Sequence, residues 1–233
     1  MLTNTFNFII KIIQPENKKT LTRFIISFLL LILEQIALGV WSVHKNSLSY
    51  TVAFLLIFAF FLTVIDATIR NTTNINSNSS PSGFKRIIKA TCFVIVMYIV
   101  LAISIYLSSK VGIVTKDSEN TKHILKLINY GGLSSMVMLV YVVVLAPIAE
   151  EYIFRYLMIP INGSRISKYV SAAISALLFC FAHIGTDLTI ANVINYGIIS
   201  IFLTGNYLIF KDIRQNMLNH VGWNLVVMII TLI

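Results

Sequence analysis

The chain has 233 residues, of which 57% are hydrophobic and only 12% are charged, and its mean hydropathy is +0.85. These values exclude an ordinary soluble domain and predict an all-α, polytopic membrane protein embedded in a lipid bilayer. The net charge of +9 arises from 18 basic and 9 acidic residues. The placement of the basic residues along the chain accounts for this excess without a nucleic-acid partner.

Seven apolar segments approach the roughly 20 residues that a helix needs to cross the bilayer. In chain order they are 24–43, 48–69, 87–107, 133–154, 169–184, 188–210 and 217–233. The fourth segment continues as an apolar run to Ile159, so the fourth and fifth spans are expected to form a long antiparallel hairpin around the turn Asn162-Gly163-Ser164. The prediction is a bundle of about seven transmembrane helices.

A polar tract rich in Asn, Ser and Thr at 71–83 is typical of a flexible loop and separates the first two spans from the rest. The apolar residues at 6–13 are compatible with a short interfacial helix or with a frayed terminus. We predict an N-terminal segment, 1–132, with about three transmembrane helices. A second unit, 133–233, would contain the last four helices.

Basic residues are distributed unevenly between alternate connections, with thirteen on one side and five on the other. The larger set is Lys11, Lys18, Lys19, Arg23, Arg70, Lys85, Arg86, Lys89, Arg155, Arg165, Lys168, Lys211 and Arg214, and the smaller set is Lys45, Lys110, Lys116, Lys122 and Lys126. The positive-inside rule then predicts a multi-pass protein of the plasma membrane with a cytoplasmic N-terminus. The short chain, rich in Ile and Asn, favours a bacterial source.

Two adjacent carboxylates, Glu150 and Glu151, lie in the fourth apolar segment and are followed by Arg155. Ionisable residues inside a span are candidates for function, although these three could simply mark the place where the span leaves the membrane. Successive helical residues differ by about 100° around the axis, whereas residues four apart share a face. We therefore expect Arg155 to pair with Glu151 and Glu150 to face a cavity as a general base.

Two later segments carry further polar residues, His183 in one and His220 with Asn224 in the other. Each has a simpler interpretation, because His183 could be a polar residue at the end of a span and Asn224 could join two helices. At 1.5 Å per residue, Glu150 and His183 lie roughly 21 and 28 Å from a turn near Ser164. The position of His220 shortly after Arg214 favours a site that opens toward the cytoplasm. The position of His183 places the site deeper in the membrane, farther from the cytoplasmic side.

Taken together, these residues resemble the CPBP intramembrane proteases, also called the CAAX protease and bacteriocin-processing (Abi) family, which includes the type II CAAX prenyl endopeptidases. The family motifs Glu-Glu-x-x-x-Arg, Phe-x-x-x-His and His-x-x-x-Asn/Asp correspond to three sets of residues in the same order. They are Glu150, Glu151 and Arg155, then Phe179 and His183, then His220 and Asn224. The resemblance covers about 133–233 and leaves out the first three spans.

The resemblance implies hydrolysis of a peptide bond in a membrane-associated peptide or protein. In this interpretation Glu150, assisted by His183, activates a water, and His220 and Asn224 stabilise the oxyanion. Glu151 and Arg155 are supporting residues, and Phe179 packs beside His183. The bacterial members of the family are associated with bacteriocin self-immunity and peptide maturation, which we favour over prenylated substrates.

Three alternatives remain at this point. Glu150, His183 and His220 are plausible zinc ligands, although the absence of an HExxH pair favours a reaction without a metal cofactor. A non-catalytic peptide-binding, immunity or regulatory protein could use the same cavity. A small-solute carrier is less consistent with the sequence, because no repeated halves are visible.

Further polar residues of the sixth span, Asn192, Asn195 and Asn206, are expected to line a cavity or to join helices.

Overall fold

The computed structural model describes residues 29, 32–33, 36–73, 82–114 and 118–232. Within these ranges the chain forms helices and no strand, so the predicted all-helical fold is confirmed. A helical segment at 36–43 precedes α1 Leu48–Thr73, α2 Gly83–Lys110, α3 Glu119–Ile128, α4 Gly132–Leu157, α5 Arg165–Ile184, α6 Ile190–Phe210 and α7 Ile213–Leu232. The apolar residues at 6–13, most of the first predicted span and most of the polar tract at 71–83 lie outside the described residues.

Five of these helices, α1, α2, α4, α5 and α6, are long and apolar enough to cross a membrane. The chain is therefore a multi-pass membrane protein. Helix α7 has the same length as α5, 20 residues. Its first half carries Arg214, Gln215, Asn216, Asn219 and His220, and these polar residues lower its hydropathy. The number of seven spans stays a prediction, since most of the first one lies outside the described residues.

The structure contains a helix, α3, in a region that the hydropathy pattern left as a connection. Ser118 is its N-cap, and Ser118 Oγ accepts a hydrogen bond from the backbone N–H of Thr121 at 3.2 Å. With 10 residues, α3 is about half as long as a membrane-spanning helix needs to be. A search for apolar runs misses such a helix, although the serine cap is visible in the sequence.

Helix α4 is irregular on both sides of the two glutamates. The α-helical stretch Ala146–Glu151 lies between π-helical turns at Tyr141–Leu145 and Tyr152–Leu157. Pro147 has no N–H, and in a regular helix its ring would clash with the carbonyl four residues earlier, so a wider turn relieves this conflict. π-helical turns occur frequently at functional sites.

Contacts between connections distinguish the two ends of the bundle. At one end, Arg86 of α2 pairs with Asp212 between α6 and α7, with Nη2 and Oδ2 2.8 Å apart. At the other end, Ser134 of α4 donates a hydrogen bond of 2.9 Å to the carbonyl of Lys45, and the Lys45 ammonium lies over the ring of Tyr130. We call the end with Arg86 and Asp212 the basic end, and the end with Lys45 and Tyr130 the α3 end. Alternate connections thus lie at opposite ends of the bundle, as the charge analysis assumed.

Helices α4 and α7 lie at the centre of the bundle, where three apolar clusters meet them. One cluster joins Phe61 and Ile65 of α1 to Tyr152 of α4 and Met217 of α7, a second joins Trp41, Phe54 and Phe58 to Tyr141 of α4 and Met228 of α7, and a third joins Val94 and Met97 of α2 to Trp223 of α7. Polar residues on α4 and α7 are consequently buried inside protein and shielded from lipid.

Candidate active site

Side chains from three helices converge around one carboxylate oxygen. Glu150 Oε2 of α4 lies 3.6 Å from His183 Nε2 of α5 and 3.7 Å from His220 Nε2 of α7. These separations are longer than direct hydrogen bonds, so both imidazoles approach Oε2 without bonding to it. Within the described part of the chain, Glu150 Oε2 is buried and has no hydrogen-bond partner. The structure thus brings together residues that lie 70 positions apart in the sequence.

The hairpin geometry explains why Glu150 and His183 are level. Helix α4 ends at Leu157 and α5 begins only at Arg165. The connection between the two helices compensates for the different distances of Glu150 and His183 from the turn. The hydroxyl of Ser175 on α5 donates a hydrogen bond to the backbone carbonyl of Phe154 on α4. This contact holds the two helices at one register.

Glu151 has an environment different from that of Glu150. Its side chain is 0% exposed, and its Oε1 lies 3.1 Å from Nη1 of Arg155, whose side chain is also 0% exposed. Arg155 therefore lies inside α4 and does not contribute to the basic connection in which the sequence analysis counted it. Glu151 makes two further hydrogen bonds, whereas the Arg155 guanidinium makes none to the described residues beyond its ion pair with Glu151.

The first of these hydrogen bonds orients His220. His220 Nδ1 lies 2.9 Å from Glu151 Oε1, while the Nε2 of the same ring points to Glu150. Because the acceptor is a carboxylate, the Nδ1 nitrogen carries the hydrogen. The ring thus connects the buried Glu151 with the partly exposed Glu150.

The second partner of Glu151 is Asn216, which the sequence analysis did not single out. Asn216 Nδ2 donates to Glu151 Oε2 and, at 3.1 Å, to the backbone carbonyl of Leu203. Its Oδ1 accepts a hydrogen bond of 2.6 Å from Asn206 Nδ2. Asn216, His220 and Asn224 are spaced four residues apart on α7, and this periodicity would have identified Asn216 as part of the same helix face.

Phe179 packs against several members of the site. Its ring stacks on His183 with 4.2 Å between centroids and makes an edge contact with His220 at 5.6 Å. The guanidinium carbon of Arg155 lies 4.1 Å from the Phe179 centroid, which is the geometry of a cation–π contact. Phe179 therefore positions the ring of His183 and also covers the charge of Arg155.

The orientation of His183 has a second determinant. Its Nδ1 is 2.9 Å from the backbone carbonyl of Phe179, so Nδ1 donates and Nε2 is directed toward Glu150. Tyr196 of α6, which the sequence analysis also missed, lies beside this ring at 5.5 Å. The Tyr196 hydroxyl is 3.2 Å from Ser118 Oγ, which links the site to α3.

A cavity of about 540 Å³ lies between the helices, and the three converging residues line one part of it. The side chains of Glu150 and His183 are 21% and 19% exposed to it, whereas His220 is 2% exposed. Asn224 also lines the cavity, although its Nδ2 donates to the carbonyl of Val142 in the first π-helical turn at 2.9 Å. The cavity volume lies within the usual range for a ligand site.

The three asparagines predicted on the sixth span have two different surroundings. Asn192 and Asn195 line the cavity. Asn206 joins α6 to α7 through Asn216. Asn192 and Asn195 thus belong to the wall of the cavity, and Asn206 belongs to the contact between α6 and α7.

The candidate zinc ligands Glu150, His183 and His220 are the three residues whose side chains converge. Within the described ranges, no group of three or more His, Cys, Asp or Glu side chains is arranged to hold a metal ion. His220 uses Nδ1 to bind Glu151, and the Nε2 atoms of His183 and His220 approach the same oxygen of Glu150.

Comparison with known families identifies the C-terminal part of the chain. Residues 132–226 match the family model described as type II CAAX prenyl endopeptidase Rce1-like, and the motifs from Glu150 to Asn224 lie inside the matched region. No curated protein and no solved structure gives a significant match. Over residues 132–226 the chain is therefore similar to the Rce1-like type II CAAX prenyl endopeptidase family.

Proposed function

We propose that this protein is an intramembrane endopeptidase in which Glu150 activates a water for attack on a peptide bond. The observation that carries the proposal is the position of Glu150 Oε2, which is buried, lacks a hydrogen-bond partner among the described residues and lies 3.6 to 3.7 Å from two imidazoles in a cavity. A carboxylate that lines a cavity beside two imidazoles has an arrangement suited to a general base.

The proposed reaction begins with transfer of a water proton to Glu150 while the water oxygen bonds to the scissile carbonyl carbon. The carbonyl electron pair moves to oxygen and forms a tetrahedral oxyanion. When the carbon–nitrogen bond breaks, Glu150 returns the proton to the departing nitrogen, so the products are a carboxylic acid and an amine. His183 orients the water through Nε2, because its Nδ1 is already bound to a backbone carbonyl.

His220 and Asn224 are the proposed donors to the oxyanion. His220 Nδ1 donates to Glu151. Donation from Nε2 to the oxyanion requires a second hydrogen on the ring, because Nε2 is an acceptor when only Nδ1 carries one. Asn224 uses its amide nitrogen toward Val142, and the second hydrogen of that nitrogen is the one available for substrate. Preorganised donors of this kind lower the barrier because they need no reorientation during the reaction.

Glu151, Arg155 and Phe179 are proposed as positioning residues. Glu151 holds the His220 ring, Arg155 compensates the charge of Glu151, and Phe179 packs against both imidazoles. Their removal is expected to disturb the geometry of the site more than the binding of substrate.

The cellular role that we propose is bacteriocin self-immunity or maturation of a secreted peptide in the plasma membrane of a bacterium. The uneven distribution of basic residues supports a cytoplasmic N-terminus. A membrane-associated peptide or protein would be the substrate. Cells that produce the Glu150→Ala variant should lose protection against the bacteriocin, and full protection would favour a non-catalytic immunity protein.

The decisive test compares the purified protein with Glu150→Gln and His183→Ala variants for cleavage of membrane peptides in proteoliposomes. Loss of a general base is expected to lower the rate by about 10²- to 10⁴-fold. Asp66→Asn is the matched control, because Asp66 is a half-exposed carboxylate near the basic end and should be dispensable for cleavage.

Each remaining outcome selects an alternative. Cleavage at the wild-type rate by Glu150→Gln contradicts the proposed base. Loss of wild-type cleavage in a chelator, with recovery on addition of zinc, replaces the proposal with a metalloprotease. Peptide binding without cleavage by any form supports the peptide-binding protein.

A further inference from the structure

Most of the cavity lies on one side of the candidate active site. Its lining follows the second half of α7, from His220 through Trp223 and Val227 to Thr231. The other lining segments are α4 from Met138 to Phe154, the last two turns of α5, the first half of α6, and α3, together with Leu38 and Leu101. Because the helices alternate in direction, these segments lie toward the α3 end of the bundle, except Phe154, which lies one turn beyond Glu150 toward the basic end.

Toward the basic end, a layer of buried polar side chains closes the described part of the bundle below Glu150. Glu151, Arg155 and Asn216 are 0% exposed, and hydrogen bonds or ion pairs connect Glu151 with the other two. Gln215 and Asn219 continue this layer with a hydrogen bond of 2.8 Å. A peptide arriving from the basic end would have to break these contacts.

The extension along α7 has the dimensions of a short peptide segment. His220 and Thr231 are 11 residues apart on α7, which corresponds to about 16 Å at 1.5 Å per residue. An extended peptide advances about 3.3 Å per residue, so about five residues would fit along this path. We call this part of the cavity the α7 channel.

The α7 channel has a mainly apolar, uncharged wall and a polar rim. Apolar side chains such as Met138, Val227 and Met228 line it, and the carboxylate in the lining belongs to Glu150. At the rim, Ser118 Oγ of α3 bonds to the Tyr196 hydroxyl. An uncharged peptide segment with apolar side chains matches this wall, because burial of an unpaired charge would be costly.

We propose that the substrate peptide reaches Glu150 from the α3 end through the α7 channel. This inference rests on the proposed endopeptidase function. It differs from the indication of the sequence, in which the closeness of Arg214 to His220 favoured access from the cytoplasm. If the positive-inside rule holds for this protein, the α3 end is the non-cytoplasmic end, and an uncharged segment of an exported peptide is the substrate.

The first experiment tests the path without requiring cleavage. Cys92 and Cys180 are replaced by Ser and Ala, and Ala146→Cys places one thiol in the cavity wall near Glu150. The rate of its alkylation by a small water-soluble methanethiosulfonate is measured in detergent. Adding Val227→Trp, which narrows the α7 channel, should lower this rate by about tenfold or more.

The control for this experiment is Leu225→Trp. Leu225 and Val227 lie on α7 with 46% and 38% of their surface exposed, but of the two only Val227 lines the cavity. Asn162→Trp adds the same bulk in the connection between α4 and α5 at the basic end. Both should leave the alkylation rate within about twofold of the parent. Thr231→Trp at the rim replaces Val227→Trp if the latter does not fold.

An unchanged rate in Val227→Trp and Thr231→Trp, or a tenfold fall in Asn162→Trp, would overturn the proposed path. A second measurement separates this failure from failure of the endopeptidase function. With a fluorogenic apolar peptide as probe, Val227→Trp should raise KM or abolish cleavage, while Leu225→Trp cleaves normally. Normal cleavage by Val227→Trp refutes the path alone, whereas normal cleavage by Glu150→Gln refutes the catalytic proposal.

Discussion

Glu150 and Glu151 are neighbours in the chain, yet their carboxylates have different partners. Glu151 is enclosed by Arg155, His220 and Asn216, while Glu150 faces a cavity. The difference of about 100° between successive helical residues separates the two environments. At the residue scale, the proposed chemistry therefore depends on one carboxylate, and the other holds the geometry around it.

Asn216→Leu tests the support of Glu151. The substitution leaves one oxygen of a buried carboxylate unpaired, which costs about 1 to 3 kcal/mol. We expect kcat to fall by about 10- to 100-fold with little change in KM, because the misplaced His220 acts on the transition state. Steady-state kinetics in detergent would show this, with Asn162→Leu in the exposed connection as control. An increase in KM at constant kcat would contradict a positioning role.

Phe179→Leu tests the contact between the aromatic ring and Arg155. Loss of the cation–π contact and of stacking on His183 should lower the free energy of unfolding by about 1 to 2 kcal/mol, in addition to the effect of the smaller side chain. The measurement is thermal unfolding in detergent. Phe181→Leu is the matched control, because Phe181 is half-exposed on the same helix. Equal effects of the two substitutions would show that the contact with Arg155 adds nothing.

At the scale of elements, α4 has an irregularity beside Glu150, and α3 lines the cavity. The π-helical turn at Tyr141–Leu145 accommodates Pro147, and the carbonyl of Val142 in that turn accepts a hydrogen bond from Asn224. Helix α3 is attached to the site through Tyr196. Both features connect elements that carry proposed catalytic residues with elements that shape the cavity.

Tyr196→Phe tests the attachment of α3. Removal of one hydroxyl eliminates the hydrogen bond to Ser118 and should destabilise the docked position of α3 by about 1 kcal/mol. Hydrogen exchange measured by mass spectrometry should then increase by about fivefold in α3 and stay unchanged in α1. Tyr169→Phe changes an exposed tyrosine on α5 and serves as control. Unchanged exchange in α3 would mean that this hydrogen bond does not hold the helix.

At the scale of the whole molecule, the two ends of the bundle differ in charge and in access to the cavity. Buried polar contacts between α4 and α7 close the side toward the basic end, and the cavity lies toward the α3 end. The orientation of the bundle in the membrane therefore decides from which compartment a peptide approaches. Access from one compartment limits the substrates that the protein meets in the cell.

Labelling of single cysteines in intact cells tests this orientation. With the native cysteines replaced, Asn129→Cys at the α3 end should react with a membrane-impermeant maleimide added outside, because the positive-inside rule places that end outside. Asn162→Cys at the basic end should react only after permeabilisation. The reverse pattern would contradict the predicted topology, and it would place the opening of the α7 channel on the cytoplasmic side.

The sequence by itself determined the membrane class, the helical fold and the resemblance of residues 132–226 to the type II CAAX prenyl endopeptidases. Long apolar runs can satisfy their backbone hydrogen bonds in lipid only as helices, and the order of the motifs from Glu150 to Asn224 is a property of the sequence. The pairing of Arg155 with Glu151 follows from helical spacing. The limits of α4 and α5 were approximate, and α3 was missed because it is too short and polar to resemble a span.

Only the tertiary structure decided which side chains meet across helices and where the cavity lies. The contacts of His220 with both glutamates, of Asn216 with Glu151 and of Phe179 with Arg155 depend on helix register and rotation. These variables are set by packing between distant segments, which a linear spacing does not contain. For the same reason, the closeness of His220 to Arg214 along the chain did not reveal that the cavity extends toward the opposite end.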